Sequence, residues 1–144
     1  MEITIRGNPI PWAAPKARAV ATKGKKPFAM VYDPQQQLKK SLRSVVQDLA
    51  PEKPFTGPVV LNIIAYMKIP KSVSKKKKVL MLAGKIRPTK KPDRTNIQKL
   101  YEDLLNGIVY LDDAQVVGGS TEKFYSETPR IEMYAEELSQ ELGI

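Results

Sequence analysis

Asp93, Asn96, Lys99, Asp103, Asp112 and Asp113 are the residues whose types and spacing could do chemistry, and all lie between Lys91 and Val117. Residues three and four apart are neighbours on a helix, so Asn96, Lys99 and Asp103 would form one polar stripe, with Asp93 just ahead of the first turn. The adjacent carboxylates Asp112 and Asp113 are costly neighbours unless a cation or solvent offsets their repulsion. If the loop carrying them folds back along the helix, Asp93, Asp112, Asp113 and Lys99 converge. Carboxylates that gather a hard cation, with a lysine beside them for phosphate charge, suit metal-assisted phosphodiester hydrolysis. Taken singly, Asp93 reads as a turn or cap residue, Lys99 as a solvated helix charge and Asp112-Asp113 as loop. The ordered set is what argues for chemistry. The chain has no histidine and no cysteine. That excludes a histidine general base and a thiolate or histidine zinc site, and it leaves carboxylates as the hard-metal ligands.

These side chains need a helix and a loop to hold them. Pro92 disfavours helical backbone at Lys91, so the approach is extended. Thr95 and Gln98 have capping-box spacing, which predicts a helix start near Thr95. Ile97, Leu100, Tyr101, Leu104, Leu105 and Ile108 recur at helical intervals and predict a single apolar face. Gly107 can take the left-handed conformation that ends a helix. Ile108 to Leu111 then reads as a strand leading to the acidic pair.

The set Pro92-Asp93, Asn96, Lys99, Asp103, Leu105-Asn106-Gly107 and Asp112-Asp113-Ala114-Gln115-Val116 resembles the RusA family of Holliday-junction resolvases. More weakly, Ile3 to Arg18 is similar to that family's opening strand, glycine-proline turn and basic segment. The resemblance implies a small homodimeric endonuclease, common in phages and prophages, that cuts four-way DNA junctions in recombination and repair. It implies Mg²⁺ as cofactor, with Mn²⁺ as a substitute. On that reading Asp93, Lys99, Asp112 and Asp113 are catalytic, and Asp93, Asp112 and Asp113 hold the metal. One position departs from the pattern: Thr95 stands where the family usually has a second aspartate, and a hydroxyl is a poor replacement for a carboxylate ligand. Two alternatives stay open: a nuclease for flaps or other branched DNA, and a catalytically weakened junction-binding protein.

The charge is segregated. Residues 1–91 carry 20 basic and 4 acidic side chains, and residues 92–144 carry 4 and 11, so +16 and −7 sum to the net +9. A basic body beside an acidic segment suits phosphate binding next to a cation site. Lys16, Arg18, Lys75, Lys76, Lys77, Lys78, Lys91 and Asn96 are the expected DNA contacts. Glu2, Arg6, Pro9 and Pro11 break up the N-terminal apolar residues, so no signal peptide is expected. The longest apolar stretch, Val59 to Met67, contains Asn62 and is too short to span a membrane. The expected location is the bacterial host cytoplasm, in association with the nucleoid.

Elsewhere, Met1 to Arg6 and Phe28 to Tyr32 read as strands, and residues 11–27 as a mobile basic loop. A helix is expected from Pro34 to Leu49, capped by Asp33. Its buried face would be Leu38, Leu42, Val45, Val46 and Leu49, with Lys39, Lys40 and Arg43 off that face and available to DNA. Val59 to Lys68 reads as the central strand. Ser74 should cap a short helix over Lys75 to Ala83, closed by Gly84. Two strands follow, Gln115 to Tyr125 and Arg130 to Tyr134, then an acidic frayed end from Ala135 to Ile144. The sum is one α+β domain over residues 1–144, a small mixed sheet packed with two main helices.

Overall fold

The longest two-residue alternation in the chain builds the longest strand. Val59, Leu61, Ile63 and Ala65 point one way and are all buried, while the residues between them are half-exposed. In a computed structural model describing residues 1–139, the order is β1 (Glu2–Arg6), β2 (Lys16–Val20), β3 (Phe28–Tyr32), α1 (Gln36–Leu49), β4 (Val59–Lys68), α2 (Lys75–Leu82) and α3 (Arg94–Leu104). A 3₁₀ turn at Asp113–Gln115 leads into β5 (Val116–Gly118), β6 (Thr121–Ser126) and β7 (Arg130–Glu137).

The main sheet is mixed. β1 pairs antiparallel with β7, β7 antiparallel with β4, and both β5 and β6 run parallel to the other side of β4. Its buried face meets Val46 of α1 and Ile97, Leu100, Tyr101 and Leu104 of α3 in one apolar core. The fold is α+β, as the sequence implied. No helix among the described residues is long and apolar enough to cross a membrane.

Several local expectations need correction. Residues 11–27 are not simply a loop, because β2 pairs with β3 in a two-stranded hairpin, Lys16 opposite Tyr32 through Val20 opposite Phe28. The stretch expected as one strand from Gln115 to Tyr125 is broken. At Gly119, φ is +132° and a Cβ would stand 1.8 Å from the Leu61 carbonyl oxygen. Asn62 Oδ1 covers the break by accepting from the Ser120 backbone N–H (2.9 Å) and hydroxyl (3.2 Å). Residues 108–111 form no strand, only isolated bridges from Tyr110 to Phe55 and to Asn106. Of the face expected to be buried on α1, Val46 is buried and Leu42 partly so, but Leu38, Val45 and Leu49 are exposed. β7 takes in residues 135–137 of the expected frayed end, and residues 140–144 lie outside the described residues.

Candidate active site

Helix α3 is fixed by what it buries. Ile97, Leu100, Tyr101 and Leu104 lie in the core, which turns Asp93, Thr95 and Lys99 outward. Asp93 is the N-cap, with extended backbone, and its carbonyl accepts from Ile97 N–H at 3.1 Å. Its carboxylate makes no capping bond. The expected Thr95–Gln98 capping box is absent. The Gln98 side chain instead donates to Glu102 (2.9 Å) and accepts from the Thr121 hydroxyl (3.3 Å).

The segment after β1 is laced along this helix. Ile10 N–H donates to the Tyr101 hydroxyl at 3.2 Å, and Trp12 N–H to the Asn96 carbonyl at 2.9 Å. The Gln35 side chain accepts from Ala13 N–H and donates to the Pro11 carbonyl, holding the segment from the α1 side. The Trp12 ring is thereby laid under Lys99, whose Nζ stands 3.5 Å from the ring centroid. Burial pushes the Tyr101 hydroxyl up to about 12, against a smaller lowering from the Ile10 N–H.

Asp103 leaves the polar stripe. Its Oδ2 lies 3.4 Å from Lys39 Nζ and 3.7 Å from Arg43 Nη2, and Arg43 also donates to its carbonyl at 3.1 Å. Lys39 pairs with Asp33 as well, at 3.0 Å. The Gln35 N–H and then Lys39 hold the Asp33 carboxyl below its ordinary range. Lys39 and Arg43 therefore tie α1 to α3 instead of standing free for DNA.

Beyond α3 the chain turns at Gly107 (φ +74°), buries Val109 and Tyr110, and presents Asp112 and Asp113 to solvent. Gln115 fastens this loop. Its Oε1 accepts from the N–H groups of Leu111 (2.8 Å) and Asp112 (2.9 Å), and its Nε2 donates to the carbonyls of Phe55 and Gly57, both at 2.9 Å. Asn106 Nδ2 approaches Asp113 Oδ2 at 3.5 Å. Burial, then the negative charges of Glu102, Asp113, Asp103 and Asp112, push the Tyr110 hydroxyl far above its ordinary range. That hydroxyl donates to the Glu102 carbonyl. Tyr110 thus sits in the field of four carboxylates.

A family model described as Endodeoxyribonuclease RusA matches residues 7–135. The chain belongs to the RusA family. It is also similar to YqaN of Bacillus subtilis (strain 168), a protein described as uncharacterized. The two are 38% identical over 143 residues, covering 96% of this chain and 97% of that protein.

Within this RusA chain the expected site residues divide. Asp93, Lys99, Asp112 and Asp113 are all exposed, on α3 and on the loop that follows it. They do not form a preassembled cage: among the described residues, no group of three or more His, Cys, Asp or Glu stands ready to hold a metal ion. Of the expected DNA contacts, Lys16 and Arg18 are exposed on β2, and Lys75, Lys76, Lys77 and Lys91 are exposed further along the chain. Lys78 is half-buried and pairs with Glu127, and Asn96 is half-buried against the Trp12 segment. Sequence reasoning carried Gln115 only as a member of the matching motif, with no role, and did not foresee the contact between Trp12 and Lys99. The one available signal was Gln115 at a fixed step after two aspartates.

Proposed function

We propose that this protein is a structure-selective endonuclease that cuts four-way DNA junctions by Mg²⁺-assisted phosphodiester hydrolysis, acting in recombination and repair. The observation that carries the reading is the family's acidic and basic set displayed on one rigid helix and its following loop, Asp93, Lys99, Asp112 and Asp113 all turned to solvent. Mg²⁺ keeps several waters and takes one or two carboxylates plus substrate phosphate oxygens, so it does not need a preformed protein cage. The donor set fits such a cation. Asp93, Asp112 and Asp113 would hold it, with a scissile phosphate completing the shell. When bound, the ion supplies Lewis-acid polarisation and a more acidic water.

The chain's own residues do the rest. Lys99 meets the charge that builds on the phosphoryl oxygens in the transition state. The Trp12 ring beneath it limits where its ammonium can go. Lys16, Arg18 and the lysines at the start of α2 hold phosphates of the arms, a sequence-independent contact that weakens with salt.

A four-way junction has twofold symmetry, so a C2 homodimer would bring identical sites to opposed strands. Exposed apolar surface supports that assembly. Leu38, Val45 and Leu49 follow one stripe of α1, and β3 exposes Phe28, Met30, Val31 and Tyr32 on a hairpin that packs mainly on itself. Isolated two-stranded hairpins are marginal in water. Thr95 supports the second reading, a junction binder with weakened cleavage.

Asp113→Asn tests the proposal. The substitution keeps the shape of the loop and removes one charge and one strong ligand. Nicking of a synthetic junction in Mg²⁺ should be lost while gel-shift affinity persists, and EDTA should silence the wild type. Unimpaired nicking by the folded variant would sink the assignment.

A further inference from the structure

We infer that Gln115 is the positioning residue of the acidic loop, the clip by which the 55–57 strap fixes where Asp112 and Asp113 stand. The inference rests on the reading above that those aspartates serve cleavage.

A glutamine amide has two N–H donors and an oxygen with two lone pairs. Gln115 uses all four: Leu111 and Asp112 N–H groups on its oxygen, Phe55 and Gly57 carbonyls on its nitrogen, at 2.8 to 2.9 Å. A glutamine serving only solubility would leave most of these to water. The strap it grips is itself held. Thr56 and Gly57 N–H groups donate to Glu137 Oε2 at 2.9 and 2.8 Å, and Phe55 N–H donates to the Val109 carbonyl at 2.8 Å. A line of bonds thus runs from the end of β7, through the strap and the amide, to the backbone of residue 112.

The loop needs such a tie. Two adjacent carboxylates repel, and the contact from Asn106 to Asp113 is at the weak limit of a hydrogen bond. The backbone N–H of Gln115 closes the 3₁₀ turn on the Asp112 carbonyl at 3.0 Å, but that bond travels with the loop and does not anchor it to the sheet. The side chain does. An amide is also the right chemistry: a carboxylate there would face two carbonyl oxygens and add a third negative charge beside the pair.

The experiment compares Gln115→Met, which keeps length and removes all four bonds, with the wild type and with Glu137→Gln, whose amide oxygen still accepts from the strap. Hydrogen exchange is followed in peptides covering residues 109–116. Single-turnover junction cleavage and junction Kd are measured on the same preparations. For Gln115→Met, exchange at Leu111 and Asp112 should accelerate at least tenfold. Cleavage should drop by ~10²-fold, the usual penalty for displacing a catalytic group by about an ångström. Junction Kd should stay within about twofold, since phosphate contacts lie elsewhere. Glu137→Gln should match the wild type. Unchanged exchange overturns the clip. Faster exchange with undiminished cleavage overturns its positioning role. A parallel loss of cleavage, Kd and thermal midpoint reduces Gln115 to general support and overturns it too. If the wild type itself cleaves no junction, the functional reading fails, and the exchange comparison still decides the clip. Should Gln115→Met not fold, Glu137→Ala, which removes the support one step back, carries the same comparison.

Discussion

The ammonium of Lys99 sits 3.5 Å from the centroid of the Trp12 ring, joining two residues 87 positions apart in the sequence. A cation over an indole face gains about 0.5–2 kcal/mol, depending on its desolvation. Trp12 is the chain's single tryptophan, so its fluorescence reports on the surroundings of this one ring, Lys99 among them. Lys99→Ala should shift the emission without DNA present and lower cleavage by ~10²-fold with junction affinity retained. Trp12→Phe should keep most activity, and Trp12→Ala should lose more. An emission spectrum identical in wild type and Lys99→Ala would refute the contact.

Thr95→Asp should fold normally and cleave as well as the wild type or better. Thr95 is exposed on the first turn of α3, a turn with no acidic residue. A carboxylate there suits the positive end of the helix dipole, worth about 0.3–1 kcal/mol. It also restores the charge usual in the family. Thermal melts and nicking rates on one preparation check both halves, and a folded variant that cleaves far less would give Thr95 a role of its own.

Association should depend on α1. Leu38, Leu42, Val45 and Leu49 recur at four, three and four residues, the spacing of a helix seam, and Val45 is 44% exposed. Light scattering should give a dimer mass for the wild type and a monomer for Val45→Glu. Val79→Glu, at a still more exposed apolar site on α2, should remain dimeric. A dimeric Val45→Glu would move the interface off this helix.

Stability should fall above about pH 10. The folded Tyr101 hydroxyl titrates at about 12, well above its unfolded value, so folding favours the protonated form. That contribution is complete below pH 10 and is lost as pH rises from 10 to 12, because only the unfolded chain ionises in that window. Two pH units correspond to ~3 kcal/mol. Denaturant melts from pH 8 to 11.5 check this. Tyr101→Phe should flatten part of the dependence, at a cost of ~1 kcal/mol for the bond from Ile10.

What was legible in the sequence follows from the range of the forces involved. The apolar period of α3 and the long apolar run of β4 are local and strong, and both elements formed where they were read. The hairpin was hidden because in Lys16-Ala17-Arg18-Ala19-Val20 the alternating partners of the charges are alanines, too small to signal a strand. Asp103 looked like a site residue because nothing in spacing reveals that Lys39 and Arg43, some 60 positions earlier, neutralise it. Gln115 was visible, but not the carbonyls of Phe55 and Gly57 that give its amide a task.

Glu137 has a consequence for synthesis. The strap that Gln115 grips is held by a carboxylate 80 residues further on, while α3 is laced at its other side by Ile10 and Trp12. Contacts of such sequence separation form late, after the intervening chain has been made. A nascent chain that has emerged through Gln115 already carries the aspartates and lysine of the proposed site, yet lacks Glu137, whose carboxylate holds the strap. On the reading proposed above, the acidic loop takes its final place only after β7 docks.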